Sequence, residues 1–188
     1  MGSPLRILVV CTANICRSPA AEAYLRSHAA ERGIDLEVSS SGFLWNGEGP
    51  SEVMGAVMAE RGFDLSTHRS RISTCEMVAE ADLVVTMERR HGRELVLRCG
   101  AGPIFTLKGA LAALAEVDDE VDDPRARIAA AHADRAHGDL LGDGPDEIDD
   151  PFGRSLRINR RTADDLRDLT AALLDALSLR GGGDDPGD

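Results

Sequence analysis

Residues 5–22, LRILVVCTANICRSPAAE, join a predicted strand to a predicted helix through a loop that contains a cysteine and an arginine. The apolar run at 5–10 is typical of a buried strand, and PAAE at 19–22 is a favourable helix start. Five residues separate Cys11 from Arg17. This span is long enough for the backbone to curl round a tetrahedral oxyanion with its amide N–H groups pointing inward. The stretch therefore predicts an anion cradle with a nucleophile at its base.

The side chains of this loop suit phosphate chemistry. A helix N-terminus and an arginine beside Cys11 favour the thiolate form of its sulfur, which is the attacking form. The Arg17 guanidinium can grip two phosphoryl oxygens at once, whereas a lysine offers a single point charge. Ser18 is a candidate helix N-cap whose hydroxyl can also hydrogen-bond the thiolate, and Asn14 tolerates the left-handed backbone that such a loop needs. The predicted phosphate-binding residues are Thr12, Ala13, Asn14, Ile15, Cys16 and Ser18.

Residues 11–18 closely resemble the signature of the low-molecular-weight protein tyrosine phosphatases, which is Cys, five residues, Arg and Ser after the first strand. The likeness covers roughly residues 5–180. The aspartate of the acid loop follows the cysteine in the chain, whereas in the large tyrosine phosphatases it precedes the cysteine. Other segments also stand in the family's order: SSG at 40–42, HRSR at 68–71, VVTME at 84–88, and DDPFG at 149–153, which is similar to the family's acid loop.

The resemblance implies hydrolysis of phosphotyrosine through a phosphocysteine on Cys11, with Arg17 and the loop amides holding the oxyanion and no metal or cofactor required. Asp150 would protonate the leaving oxygen and then activate water. Asp149 is a rival acid, but the neighbouring Pro151 favours Asp150. The implied partner is a phosphotyrosine-containing protein, such as a tyrosine kinase, and the product is inorganic phosphate.

Two aromatic positions bear on the substrate cleft. Trp45 is the chain's single tryptophan and lies in about the place where the family supplies an aromatic ring to the cleft rim. Phe152 is followed by Gly153, whereas the mammalian relatives have two consecutive tyrosines after the proline. This departure puts one aromatic wall of the cleft in doubt, so the family's substrate preference is not transferred.

The four cysteines lack the dense spacing of a disulfide-stapled secreted domain, so reduced thiols are expected. Cys16 either packs the loop or pairs reversibly with an oxidised Cys11, and the resemblance supports the second role. Cys75 and Cys99 are predicted to be core or surface thiols. A thioredoxin-coupled arsenate reductase of the same fold is the main alternative, but it needs two further cysteines close together, and these two are far apart in sequence. A non-catalytic phosphate-binding module is the third possibility, and the set of Cys11, Arg17 and Asp150 disfavours it.

Composition favours a single domain over residues 1–180, because 188 residues with 43% apolar content can bury a proper core. No stretch is apolar enough to span a membrane and no signal peptide is recognisable, so we expect a cytoplasmic protein. The net charge of −12 is concentrated in residues 116–150, which hold thirteen acids and three arginines. No basic stripe is present, which excludes nucleic acid as an expected partner. We expect the acidic insertion, about 116–147, to be mobile and solvated, and the tail 181–188 to be disordered.

Strand and helix patterns alternate along the chain, which predicts an α/β fold. The expected architecture is an open, mostly parallel four-stranded sheet with helices on both faces and the phosphate loop after the first strand, where open α/β folds bind ligands. Strands are predicted at 5–10, 36–40, 81–86 and 103–105, and helices at 19–32, 51–61, near 73, 89–98, 108–115 and 155–179, with 126–137 as a further candidate.

Overall fold

The computed structural model describes residues 3–134, 140 and 144–177, and in these residues the chain alternates strands and helices as expected. The elements are β1 (Leu5–Val10), α1 (Arg17–Arg32), β2 (Leu36–Ser41), α2 (Glu52–Glu60), α3 (Cys75–Glu80), β3 (Leu83–Thr86), α4 (Arg89–Cys99), β4 (Ile104–Thr106), α5 (Leu107–Ala115), α6 (Pro124–Ala133) and α7 (Leu156–Ala176).

The four strands form one parallel sheet in the order β2-β1-β3-β4. β1 is central, and its last residue, Val10, is in register with Ser41 of β2 and Thr86 of β3. Because the strands are parallel, the loops that leave their carboxyl ends lie along the same edge. The predicted fold class is confirmed, and the loop after β1 sits between the loops that follow β2 and β3.

Side chains of β1 alternate between two apolar clusters, one on each face of the sheet. Ile7 and Val9 belong to the larger cluster, which α1, α2, α5, α6 and α7 cover. Leu8 and Val10 belong to the smaller cluster, where Leu95 of α4 packs against them. Helices therefore cover both faces, as predicted, and the strand that carries Cys11 at its end is buried on both sides.

The first helix begins earlier than the sequence predicts. Arg17 is its first residue and Cys16 occupies the N-cap position, so the prediction that Ser18 caps the helix is wrong. Gly33 ends the helix in the left-handed conformation with φ of 64°, as expected of a C-terminal glycine. The earlier start places the Arg17 and Ser18 side chains in the first turn, directly behind the loop.

The acidic insertion contains a helix that packs into the main core, so the expectation of a solvated lobe is wrong for this part. α6 begins after Asp123, whose side chain accepts a hydrogen bond from the Ala126 amide at 2.8 Å. Ile128 and Ala131 are buried in the larger cluster. The acids at 116–123 precede the helix, and its inner face carries Ile128, Ala131 and a buried arginine, Arg127. Residues 135–139 and 141–143 of the insertion lie outside the described residues, as does the predicted disordered tail.

Cys75 and Cys99 form a disulfide, which corrects the expectation that both are unpaired thiols. Cys75 is the first residue of α3 and Cys99 is the last residue of α4. The two cysteines are 24 residues apart in sequence, and only the folded chain brings the start of α3 to the end of α4. Cys11 and Cys16 are free and buried.

No helix in the described part of the chain is long and apolar enough to cross a bilayer. The predicted cytoplasmic location stays a prediction.

Candidate active site

The loop after β1 holds the Cys11 sulfur in a set of hydrogen-bond donors. The Asn14 amide donates to Sγ at 3.3 Å, and the Ser18 hydroxyl lies 3.0 Å from the same atom. Ser18 Oγ also accepts a hydrogen bond from Asn14 Nδ2 at 2.9 Å, so its own hydrogen is available to the sulfur. The Cys11 sulfur is thus the common acceptor of a backbone amide and a hydroxyl at the base of the loop.

Asn14 fixes the curvature of the loop. It adopts the left-handed backbone predicted for it, with φ of 57°. Its Nδ2 also donates to Ser40 Oγ at 2.8 Å, and its Oδ1 accepts the Arg71 amide at 2.9 Å. The His68 ring donates to the Asn14 carbonyl at 2.7 Å. A strained backbone conformation persists only where its surroundings hold it, and here β2 and the 68–71 segment do so.

Arg17 is almost fully buried and most of its donors are engaged. Nη1 donates to Glu88 Oε1 at 2.6 Å and to the Ile148 carbonyl at 2.7 Å, while Nη2 lies 3.2 Å from Thr12 Oγ1 and 3.0 Å from Asp150 Oδ2. Its Nε is buried with no hydrogen-bond partner among the described residues. A buried donor without a partner is costly, and an oxyanion beside Cys11 would satisfy it.

Glu88 anchors two arginines at once. Its Oε1 accepts from Arg17 and its Oε2 accepts from Arg90 Nε at 2.6 Å. Burial acts to raise the pKa of the Glu88 carboxyl, but the hydrogen bonds from Arg90 and the charge of Arg17 outweigh it and lower the pKa to about 2. Glu88 is therefore ionised at neutral pH and holds the Arg17 guanidinium in one orientation.

Thr12 is held by a buried histidine. The His91 ring Nε2 lies 2.9 Å from Thr12 Oγ1, and Arg17 and Arg90 both donate to the same oxygen. Burial lowers the pKa of His91 to about 3, with the two arginines adding to the shift and Glu88 opposing it. His91 is therefore neutral. Because the Thr12 oxygen already accepts from two guanidinium groups, its hydrogen is available to His91 Nε2.

Cys16 packs the loop against the start of α2. Its Sγ donates to Ser51 Oγ at 2.9 Å, and Ser51 is the N-cap residue of that helix. Burial raises the pKa of the Cys16 thiol to about 11, against the opposing hydrogen bond to Ser51 and together with the charges of Cys11 and Asp150. Cys16 is thus protonated at neutral pH. Its predicted pairing with an oxidised Cys11 stays a prediction.

A cavity of about 160 Å³ opens above Cys11. Thr12, Ala13, Ile15, Cys16 and Arg17 form its floor, and its upper wall consists of Leu44, Trp45, Asp150 and Phe152. Trp45 and Phe152 meet edge to face with ring centroids 6.4 Å apart, and both rings are largely open to solvent. Trp45 thus lies where the sequence predicts a rim aromatic. The loop amides, Arg17, Asp150 and both rings converge on one opening, whereas a larger cavity of about 420 Å³ beside α5 contains neither Cys11 nor Arg17.

The sequence pattern of the family described as low molecular weight phosphotyrosine protein phosphatase matches residues 6–135, which is more than half of the chain. The chain belongs to this family. The phosphatase is 31% identical over 175 residues to a protein-arginine-phosphatase of Bacillus subtilis, covering 91% of this chain and 95% of that protein.

Two further relatives extend the comparison. A probable low molecular weight protein-tyrosine-phosphatase of Ralstonia solanacearum is 38% identical over 119 residues, which is 63% of this chain and 77% of that protein. The crystal structure of a low molecular weight protein tyrosine phosphatase from T. tengcongensis superposes with a TM-score of 0.70 at 28% identity, covering 91% of this chain and 98% of that chain. The relatives of this phosphatase thus carry names with two different substrate residues.

Sequence reasoning missed three residues of the phosphatase site, Glu88, Arg90 and His91. They contact Arg17 and Thr12 across more than 70 residues of sequence. The available signal was their place directly after the third strand: if β3 is predicted to neighbour β1, its following residues must lie beside the Cys11 loop. Across the described residues, no three His, Cys, Asp or Glu side chains cluster as metal ligands would. That the reaction needs no metal or cofactor stays a prediction.

Proposed function

We propose that this phosphatase hydrolyses phosphotyrosine in proteins, with Cys11, Arg17 and Asp150 as its catalytic residues. The observation that carries the proposal is the cavity, which has a donor-lined thiol at its base, a buried arginine with an unpaired Nε beside it, and apolar and aromatic walls above. A phosphate group suits the base and a phenyl ring suits the walls.

The reaction proceeds in two displacements. The Cys11 thiolate attacks phosphorus, the bond from phosphorus to the phenol oxygen breaks, and Asp150 gives its proton to the departing oxygen. Water then attacks the phosphocysteine, Asp150 takes a proton from it, and the phosphorus–sulfur bond breaks to release inorganic phosphate. Arg17 and the amides of residues 12–18 hold the equatorial oxygens in both steps. The Asp150 carboxyl is partly exposed and lines the cavity, which places it within reach of a leaving oxygen bound there.

The cavity walls favour phosphotyrosine over phosphoarginine. Arg17 and Asp150 are the charged side chains among the described residues that line the cavity, and they pair with each other. The side chains of Ile15, Leu44 and Phe152 offer no hydrogen-bond acceptor. A substrate guanidinium would therefore bury N–H donors with few partners, whereas a phenyl ring needs none. The substrate class is a phosphotyrosine-containing protein, such as a tyrosine kinase.

The test compares two peptides of the same sequence, one with phosphotyrosine and one with phosphoarginine. We expect kcat/KM to be at least about 100-fold higher for phosphotyrosine, because each unpaired buried donor costs roughly 1–3 kcal/mol. Cys11→Ser should abolish phosphate release from both peptides. Equal or greater turnover of the phosphoarginine peptide would overturn the proposed substrate.

The assigned roles of Asp150 and Asp149 are separated by leaving-group dependence. Asp150→Ala should lower kcat/KM, which reports the first displacement only, by roughly 10²- to 10⁴-fold for phenyl phosphate, whose phenol is a poor leaving group, and far less for p-nitrophenyl phosphate. Asp149→Ala is the matched control, because it removes the neighbouring exposed carboxylate, and we expect kcat/KM to stay within about twofold. An equal loss with both esters would remove Asp150 from the acid role, and a larger loss in Asp149→Ala would transfer that role to Asp149.

One observation favours arsenate reduction as a second candidate function. The Cys75–Cys99 disulfide shows that these cysteines do meet, so their distance in sequence no longer argues against a relay. The relay would also have to reach Cys11, and Asp150 would have no role in it. Arsenate reduction with thioredoxin, assayed beside phosphate release, discriminates the two functions. We expect release of phosphate and no oxidation of thioredoxin that depends on arsenate.

A further inference from the structure

The rim segment, which we define as residues 42–45, connects the Cys11 loop to the mouth of the cavity. The Phe43 amide donates to the Thr12 carbonyl at 2.8 Å, so the segment lies directly against the loop. Leu44 and Trp45 follow and form part of the cavity wall. Both are exposed large apolar side chains, so packing of their own side chains does little to fix them. Their position is therefore set by backbone contacts on either side, at residues 42 and 43 and at Gly47, whose amide donates to the Ser70 carbonyl at 2.8 Å.

Residues beside α3 and residues of α4 both contact this segment. On the α3 side, Ser73 donates its amide to the Gly42 carbonyl at 2.7 Å and its hydroxyl to the same oxygen at 2.9 Å. On the α4 side, the Arg98 guanidinium stacks over the Phe43 ring, 5.5 Å from its centroid. The same ring also stacks with the His91 ring, with centroids 5.7 Å apart. Phe43 is therefore held between the end of α4 and its beginning.

The disulfide joins these two sets of contacts. Cys75 follows Ser73 by two residues and Cys99 follows Arg98 by one. α3 has only six residues and none of them is buried, although Met77 and Val78 rest on the smaller apolar cluster. A short helix with so little burial depends on its covalent link to keep a fixed place. The bond thus closes a ring of contacts round Gly42 and Phe43.

We propose that the Cys75–Cys99 disulfide is a positioning element that holds the rim segment, and with it Trp45, over the substrate cavity. A dithiol reductant switches it off: the S–S bond breaks, two S–H bonds form, and the dithiol is oxidised to its own disulfide. The inference rests on the proposed function for its substrate. Its effect falls on binding of the aromatic group rather than on the chemistry at Cys11.

The experiment uses the full chain in two states in which Cys11 is reduced. Thiol titration under denaturing conditions should give two free thiols per chain before treatment with dithiothreitol and four after. A Cys75→Ser/Cys99→Ser double variant mimics the open state without reductant. In both open states we expect KM for a phosphotyrosine peptide to rise about three- to tenfold with kcat within twofold, because rim contacts bind substrate and transition state alike.

Three readouts separate this role from a general loss of stability. The inhibition constant of inorganic phosphate should not change, since phosphate touches the loop and not the rim. Emission of Trp45, the single tryptophan, should shift to the red as its ring loses its fixed place. Arg98→Met should reproduce part of the KM rise with the disulfide intact, whereas Leu97→Ala, at a neighbouring position that is 77% exposed, should not.

Each of these measurements can contradict the positioning role of the disulfide. Four free thiols before reduction, an unchanged KM, or a phosphate inhibition constant that rises in parallel with KM would overturn the inference. If phosphotyrosine is not turned over in either state while Trp45 emission still shifts on reduction, the proposed function fails and the positioning role stands. If Trp45 emission does not respond, the positioning role fails irrespective of the substrate.

Discussion

At the scale of single residues, the site depends on how Arg17 is oriented. A free guanidinium rotates about four bonds, and fixing it in the complex would cost conformational entropy. Glu88 and the Ile148 carbonyl fix Nη1 in advance, so its Nε is presented to the cavity before any anion arrives. Electrostatic stabilisation is most effective when the donors need no rearrangement at the moment of reaction.

Glu88→Gln tests this preorganisation. The variant keeps the shape of the side chain but removes the charge that both arginines share, so we expect kcat/KM to fall about tenfold or more, as loss of a charge-assisted hydrogen bond predicts. Glu60→Gln breaks an exposed carboxylate–guanidinium pair with Arg160 and serves as the matched control, with activity unchanged. A Glu88→Gln enzyme with full activity would show that Arg17 needs no anchor.

The contribution of Glu88 to the free energy of unfolding depends on pH. The pKa of Glu88 lies near 2 in the folded chain and near its ordinary value of 4.5 in the unfolded chain. Between these values the unfolded chain binds more protons, so the contribution of Glu88 to the free energy of unfolding is complete above about pH 4.5 and is lost as the pH falls toward 2. Urea unfolding of wild type and Glu88→Gln from pH 7 to pH 2 should therefore converge in acid. A gap that stays constant would contradict this account.

At the scale of elements, the loop after β2 and the loop after β1 approach too closely for a side chain between them. A Cβ added at Gly42 would lie 2.8 Å from the Asn14 nitrogen and 3.0 Å from the Thr12 oxygen, and these are backbone atoms of the cradle. They cannot move aside as a flexible side chain would. The glycine of the SSG stretch is therefore required by the shape of the phosphate loop and not by its own dihedral angles.

Gly42→Ala should distort the cradle. We expect a loss of activity of at least about tenfold and a decrease of roughly 1–3 kcal/mol in the free energy of unfolding, as overpacking typically costs. Gly49→Ala, in the same connection between β2 and α2, meets no atom within 4 Å and is the control. The measurements are kcat/KM and urea unfolding. Wild-type activity in Gly42→Ala would show that the loop tolerates displacement.

At the scale of the whole molecule, α6 joins the insertion to the rest of the fold through a buried arginine. Arg127 donates to the carbonyls of Leu114 at the end of α5 and Ala176 at the end of α7, at 3.1 and 2.9 Å. It also donates to the carbonyls of Asp118 and Val121, both at 3.1 Å. Helix C-termini carry unpaired carbonyls and partial negative charge, so one guanidinium satisfies several elements together.

Arg127→Met should lower stability without touching catalysis. Leaving these carbonyls without donors should cost about 3 kcal/mol, which lowers the Tm of a domain of this size by roughly 6–12 °C. Because the site lies at the other end of the strands, kcat/KM well below Tm should stay within twofold. Arg161→Met, which removes a highly exposed arginine, should leave Tm unchanged. A normal Tm in Arg127→Met would show that these hydrogen bonds do not stabilise the fold.

The sequence was sufficient for features whose cause is local. The cradle is eight consecutive residues, and the apolar periodicity of its flanks predicts the strand before it and the helix after it. The alternation of strands and helices then implies a parallel sheet with Cys11 at a carboxyl edge. The left-handed conformation of Asn14 is predicted in the same way from the turn it occupies, although Ser40, His68 and Arg71 hold it in the folded chain.

Contacts between distant segments required the folded chain. The place of Glu88 after β3 puts it beside the Cys11 loop only once β3 is known to neighbour β1, and nothing near Cys75 indicates Cys99. Each pair is brought together by the folding of the chain between its members. The prediction that the acidic insertion is solvated is wrong at α6 for a related reason. Net charge averages over a segment, whereas burial depends on one helix face, and the face that carries Ile128 and Ala131 turns to the core. The chemistry of the loop follows from consecutive residues, but contacts between residues far apart in sequence depend on the order in which the strands and helices are arranged.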